Sequence, residues 1–295
     1  MNSKPNGLAT LLLPVLLLIV AMASIQSGAS LAKSLFPAVG AQGATTLRLI
    51  FASLMLCAVL RPWRMTISAK TLKNVAIYGA SLGAMNLLFY MALQSIPLGV
   101  AVALEFTGPL CVALLGSRRK VDFLWIALAA LGLYLLIPTG ETTAGLPLEG
   151  AAFALGAGAC WAFYIHYGHK AGTDNGLQTV GLGATIAALV VMPFGIAHAG
   201  AALLDVSLVP VALAVAVLST ALPYSLEMVA LTRMPPRTFG ILMSMEPGIA
   251  ALSGLIFLGE LLTTPQWFAL GAIILASAGA TLTTRPAPTP AVMND

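Results

Sequence analysis

Residues 92–109 read ALQSIPLGVAVALEFTGP, and residues 230–247 read ALTRMPPRTFGILMSMEP. Each stretch opens on Ala-Leu, passes through a short polar turn, meets a proline (Pro97, Pro235) and enters an apolar run. Each run then carries a glutamate with a proline close by: Glu105 with Pro109, and Glu246 with Pro247. Proline closes the preceding helix because it lacks an N–H and disfavours helical geometry in the residue before it. A six-residue echo alone carries little weight. Turn, helix, central glutamate and proline recurring in one order mark an internal repeat.

Outward from these two stretches, apolar runs predict ten helices near 8–32, 42–60, 72–93, 97–116, 121–138, 148–168, 178–197, 207–231, 237–258 and 264–283. Short separators rich in Gly, Pro or charge divide them, among them Arg61-Pro62 and Arg233 to Pro236. The echo closes the third and the eighth helix, so the repeating unit is five helices. Five is odd, and the second copy must therefore enter the membrane upside down relative to the first. The expected fold is an all-α membrane protein, with ten transmembrane helices as two inverted five-helix repeats. The first repeat is expected over 1–140 and the second over 147–284, followed by a Pro-rich, disordered cytoplasmic tail at 285–295. Inverted repeats place a binding site at their interface and support alternating access. Transport, rather than enzymatic work, is the expected activity.

Composition agrees. Of the 295 residues 59% are hydrophobic and only 8% charged, with a mean hydropathy of +0.96. A soluble domain needs about 25% charged residues to cover itself in water; this chain must be solvated by lipid. The net charge of +4 makes no nucleic-acid face, because the basic residues sit in short clusters between apolar runs. With a cytoplasmic N-terminus, 12 of the 14 Lys and Arg fall on the inside, leaving Lys33 and Arg48 outside. That bias predicts both termini in the cytoplasm. Lys4 and Ala21-Met22-Ala23 imitate a signal peptide, but the apolar run continues past them, so an uncleaved first helix is expected. Cys57, Cys111 and Cys160 lie in apolar runs, as small buried hydrophobes do, and match no metal or disulfide spacing.

Five longer strings carry a family resemblance: AMASIQSGASLAK (Ala21 to Lys33), PLGVAVALEFTGPL (Pro97 to Leu110), LGAGACWA (Leu155 to Ala162), LSTALPYSLE (Leu218 to Glu227) and FGILMSMEP (Phe239 to Pro247). In these the chain resembles the drug/metabolite transporter superfamily, in its ten-helix branch of paired EamA domains. The resemblance runs over nearly the whole chain and fades at the tails. It implies a bacterial inner-membrane location and a central cavity lined mainly by helices 1, 3, 4, 6, 8 and 9. It also implies export of threonine, homoserine and related small amino acids, driven by the proton gradient as in an antiporter.

Ionisable groups inside a membrane cost at least a few kcal/mol each and are functional candidates by default. Glu105 falls near the middle of helix 4, Glu246 near the middle of helix 9, and Glu227 towards the cytoplasmic end of helix 8. A carboxylate withdrawn from water can alternate between holding a proton and pairing with a substrate ammonium, which would couple the two. The competing reading is a hydrogen bond that holds helices in register. Pro109, Pro223 and Pro247 weaken the backbone ladder beside these glutamates. Arg48 suits a substrate carboxylate, but equally a headgroup reached by snorkelling, or a glutamate to brace. Softer candidates are Gln26 and Ser30 on helix 1, Asn86 and Tyr90 on helix 3, Trp161 and Tyr164 on helix 6, and Tyr224 on helix 8. His166, His169 and His198 are expected at membrane boundaries.

No Walker A, paired-His zinc or GxSxG pattern is present, so no ATP, metal or other cofactor is expected. Partners are expected to be small amino acids, protons and lipid, with neither nucleic acid nor an obligate protein partner. A broader exporter of drugs, metabolites or amino-acid analogues is the alternative within transport. A membrane-embedded enzyme is more remote, because isolated mid-helix carboxylates are not a clustered catalytic face.

Overall fold

The computed structural model describes residues 7–65, 68–115, 120–136, 147–175, 178–233, 239 and 242–283. Every regular element among them is helical. The expected tail at 285–295 and the turns around Pro138 and Pro235 lie outside the described residues.

In chain order the helices are α1 (Gly7–Ala32), α2 (Phe36–Leu60), α3 (Ala69–Ala92), α4 (Leu98–Glu105), α5 (Thr107–Leu115) and α6 (Lys120–Leu136). They continue as α7 (Leu148–Asn175), α8 (Gln178–Ala199), α9 (Val209–Ala216), α10 (Leu222–Arg233), α11 (Glu246–Leu258) and α12 (Thr264–Thr283). A π-helical turn, Val217–Ala221, joins α9 to α10. Leu12–Leu60, Ala69–Ala92, Leu148–Gly168 and Gln178–Leu204 are long and apolar enough to cross a bilayer, and shorter apolar helices accompany them. Large apolar side chains such as Leu16, Phe123, Phe163, Ile256 and Phe268 face outward. In water that would be a defect; in hydrocarbon it matches the solvent.

Local signals account for the ends. Ser68 caps α3 by accepting the Thr71 N–H at 3.1 Å. Arg61, at φ 50°, closes α2 in the left-handed region. Gly40 has φ 66° and breaks the regular backbone near the start of α2, which explains why the apolar pattern is continuous only from about residue 42.

Three spans are interrupted within their expected bounds, and a proline stands behind each interruption. Pro109 has no N–H for the Glu105 carbonyl four residues back, and α4 ends at Glu105. Pro247 likewise leaves Met243 without its partner, and residues 244–245 form a turn before α11. Pro223 orphans the Ser219 carbonyl, which lies within the π turn. Glu105 and Glu246 therefore do not sit mid-helix, as expected, but flank a break in their spans.

The helices pack in partnerships. α3 lies against α7 and α8, α2 against α8, α6 against α12, and α4 against α11. α1 lies against α10, α11 and the π turn, while α7 lies against α4 and α5. Small residues set these approaches, since lipid offers no hydrophobic drive between helices. A Cβ on Gly79 would come within 2.7 Å of the Gly183 carbonyl oxygen, and one on Gly83 within 2.8 Å of that of Ala187.

Candidate functional site

The broken spans surround a chamber of about 370 Å³. Its wall holds Glu105, Glu227 and Glu246 together with Arg48, Gln26 and Asn86. Trp161, Tyr164 and Pro109 complete the sequence candidates found there. Two of these helices lie outside the set implied by resemblance for the cavity: Arg48 comes from α2, and Ser277, also in the wall, from α12.

The proline breaks supply part of the wiring. With Pro223 unable to donate, the Ser219 carbonyl is free, and Arg48 Nη2 donates to it at 3.3 Å. The neighbouring Leu218 carbonyl accepts from the Ser24 hydroxyl at 2.7 Å. The π turn thus binds α1 and α2 through carbonyls that a regular helix would have consumed. Gly28 makes room for it, because a Cβ there would run into the Ser219 hydroxyl. On the other side, Gly108 and Gly158 bring α5 and α7 into backbone contact beside Glu105.

Arg48 does not reach the headgroups. It is 6% exposed, and its guanidinium lies 5.3 Å from the centre of the Tyr90 ring. It therefore does not belong in the outside charge count, which leaves Lys33 alone there. Tyr90 is fully buried behind it and forms no part of the wall. The flat ring face compensates a cation that has few other partners.

Gln26 Nε2 donates to Glu246 Oε1 at 3.1 Å. Gln26 Oε1, Glu246 Oε2 and Arg48 Nε are buried with no protein partner. The Ser219 hydroxyl, in the same wall, is likewise without one. Buried polar atoms are nearly always paired, so a ligand or water is the natural partner for four such atoms in one wall. Glu105 lies within electrostatic reach of Glu246 and Arg48, and Glu246 within reach of Glu227. Among the lining residues three carboxyl groups thus share one guanidinium. Ionised together they would leave two negative charges unbalanced in a site of low dielectric, which demands bound cations.

The remaining candidates fall elsewhere. Ser30 donates back to the Gln26 carbonyl at 2.9 Å, within α1. Pro223 and Pro247 are buried but outside the wall, acting through the carbonyls they release. The side chain of Tyr224 lies outside the described residues, as does that of His169. His198 is exposed beside Gly40. Asn86 donates to the Leu82 carbonyl at 2.8 Å, and Tyr164 stacks on Tyr78 at 5.0 Å between ring centres. Trp161 meets Phe106 edge to face at 5.4 Å.

Sequence reasoning missed Ser219, Ser277, Phe106 and Phe239. Ser219 was findable, since it stands four residues ahead of Pro223. The repeat also needs a finer register. At the offset that matches Pro97 with Pro235, Pro109 meets Pro247, but Glu105 meets Met243 and Glu246 meets Gly108. The two carboxylates are displaced by nearly one helical turn rather than equivalent.

Fold and chamber define a multi-pass helical membrane protein with a charged internal site. A family model described as the EamA-like transporter family matches residues 148–282. The threonine/homoserine exporter RhtA of Escherichia coli (strain K12) is 60% identical over 273 residues, spanning 92% of each chain. The threonine/homoserine exporter RhtA of Salmonella typhimurium (strain LT2) is 60% identical over 276 residues, spanning 94% of each. A solved crystal structure, 18% identical, superposes with a TM-score of 0.58 over 92% of this chain and 99% of its own; at that identity it speaks for the fold alone. The chain belongs to the EamA-like transporter family. It is a transporter rather than an enzyme, as the repeat and the five strings led us to expect.

Proposed function

We propose that this chain exports threonine, homoserine and related small amino acids across the bacterial inner membrane by proton-coupled alternating access. The observation that carries the reading is the wall of the chamber, where carboxylates and one guanidinium face a common volume. A zwitterion presents an ammonium to Glu105 or Glu246 and a carboxylate to Arg48. The relatives named as threonine/homoserine exporters supply the substrate. The volume of about 370 Å³ falls at the small end of ligand sites, which run from roughly 300 to 1,000 Å³. That favours an amino acid over a bulky drug.

Packing supports two inverted halves, 1–140 and 147–284, each with five spans. The partnership of α3 with α7 has its mirror in that of α1 with α9, the π turn and α10. The partnership of α7 with α4 and α5 is mirrored by α1 with α11. α2 with α8, α4 with α11 and α6 with α12 each map onto themselves. The positive-inside bias supports both termini in the cytoplasm.

In this cycle the substrate enters from the cytoplasm and its ammonium balances an ionised carboxylate. After the chamber turns outward, a proton takes the ammonium's place and the amino acid leaves. The protonated chamber turns back and releases the proton inside. Uptake of labelled threonine into inverted vesicles under an imposed pH gradient tests the whole. Uptake no greater than in vesicles lacking the chain, with the protein folded, refutes it.

A further inference from the structure

Below the face that bears Lys33, the chamber is closed by protein. All eight residues of α4, Leu98 to Glu105, are buried. Six of them share a hydrophobic core with Ala29, Ala32, Ala250 and Ala251. Gly99 makes the seam possible, since a Cβ there would come within 2.7 Å of the Ala251 Cα. On the opposite side of the break burial alternates: Thr107 and Pro109 are half-buried and Cys111 is exposed, beside buried Phe106, Gly108 and Leu110. Glu227 and Ser277, also in the wall, stand midway along α10 and in the second half of α12.

One carboxylate ties the closed face together. Glu260 Oε1 pairs with Lys33 Nζ at 2.7 Å, just beyond α1. Glu260 Oε2 accepts the Leu98 N–H at 2.7 Å, at the first residue of α4. Glu260 itself follows the left-handed Gly259 that ends α11, and its own N–H donates to the Gly254 carbonyl at 3.1 Å. Gly254 leaves room for the carboxylate, because a Cβ there would come within 2.6 Å of Glu260 Oε2. Three spans from both halves of the chain thus end on a single side chain. The pair is solvent-accessible, with side-chain exposures of 24% and 14%, so water can compete for it. A half-buried pair that water can still reach is suited to a contact that must open and close in each cycle.

We infer that Glu260 is the latch of the outer gate, holding Lys33 and the start of α4 together while the chamber is shut to the outside and releasing both when it opens. The inference rests on the alternating-access reading, but not on which amino acid is carried. The repeat register supports it, because Glu260 matches Asp122, and Lys33 falls beside the match of Lys170. The mirrored half therefore carries the same two charges at the opposite face.

The test uses the full chain in intact cells, with Cys57, Cys111 and Cys160 replaced by alanine. Ala29→Cys places a reporter thiol in the chamber wall just below the seam, to be labelled from outside with a membrane-impermeant maleimide. We expect Glu260→Gln and Lys33→Ala each to raise the labelling rate several-fold. In a separate chain carrying Lys33→Cys and Glu260→Cys, a short cleavable bifunctional thiol reagent should stop export, and reductant should restore it. A labelling rate unchanged in both single variants overturns the latch, and so does a cross-link that leaves export intact. Labelling needs no substrate. A chain that labels as expected yet exports no threonine refutes the substrate reading and leaves the gate standing.

Discussion

Gln26 and Glu246 meet at 3.1 Å across the chamber, joining α1 to the first residue of α11. The bond uses one amide hydrogen on one carboxylate oxygen and leaves Gln26 Oε1 and Glu246 Oε2 without a protein partner. It holds the glutamate in place without neutralising it. A hydrogen bond to a charged group is worth about 1.5–3 kcal/mol. Gln26→Leu should therefore cut the initial rate of threonine uptake into inverted vesicles by roughly ten- to a hundredfold. A rate equal to the parent's would show that this contact does not position the site.

Glu105→Gln and Glu246→Gln each remove a titratable group while keeping its shape. Threonine uptake driven by a pH gradient should collapse in at least one of them. Exchange of internal for external threonine, with no gradient, should survive better than gradient-driven uptake. Gradient dependence intact in both variants would remove the carboxylates from the coupling.

Arg48 lies over the Tyr90 ring and donates to the Ser219 carbonyl. Arg48→Lys keeps the charge but loses the planar fork, and should raise KM for threonine by about tenfold or more, since the two cations are not interchangeable at stacked sites. Tyr90→Phe keeps the ring face and removes a buried hydroxyl that has no partner, so its transport should match the parent. Tyr90→Leu loses the face and should weaken transport by the equivalent of about 1–2 kcal/mol.

Pro223→Ala gives residue 223 an N–H able to reclaim the Ser219 carbonyl. The π turn should relax towards α-helix, depriving Arg48 of its acceptor. We expect a more heat-stable protein with a lower export rate. Thermal unfolding and vesicle uptake measured on the same preparation would check both halves of the expectation.

Gly108→Ala drives a methyl group into the Gly158 carbonyl oxygen. Overpacking of this kind costs about 1–3 kcal/mol, and should lower the unfolding temperature in detergent. Gly271→Ala is the control. Nothing lies within 4 Å of a Cβ there, and alanine is the better helix former by about 1 kcal/mol.

The sequence by itself determined that this chain lives in lipid, roughly where its spans run, and that one turn–glutamate–proline pattern recurs along it. Those properties are sums or orders along one dimension: apolar length, charge between runs, and the recurrence of turn, glutamate and proline. It also supplied the charged groups of the chamber wall, because ionisable groups in apolar runs are rare enough to stand out. The tertiary structure decided what each of those groups meets. Arg48 read equally as a headgroup contact or a site residue, and its burial over Tyr90 settles that it does not snorkel. Glu105 and Glu246 looked equivalent, but the prolines break their spans on different sides of the carboxylates. Ser219 entered the wall because a carbonyl freed by Pro223 found a guanidinium 171 positions away in sequence. Glycines such as Gly28 and Gly158 decide how closely two helices approach, and a glycine says nothing of its partner until the chain has folded around it.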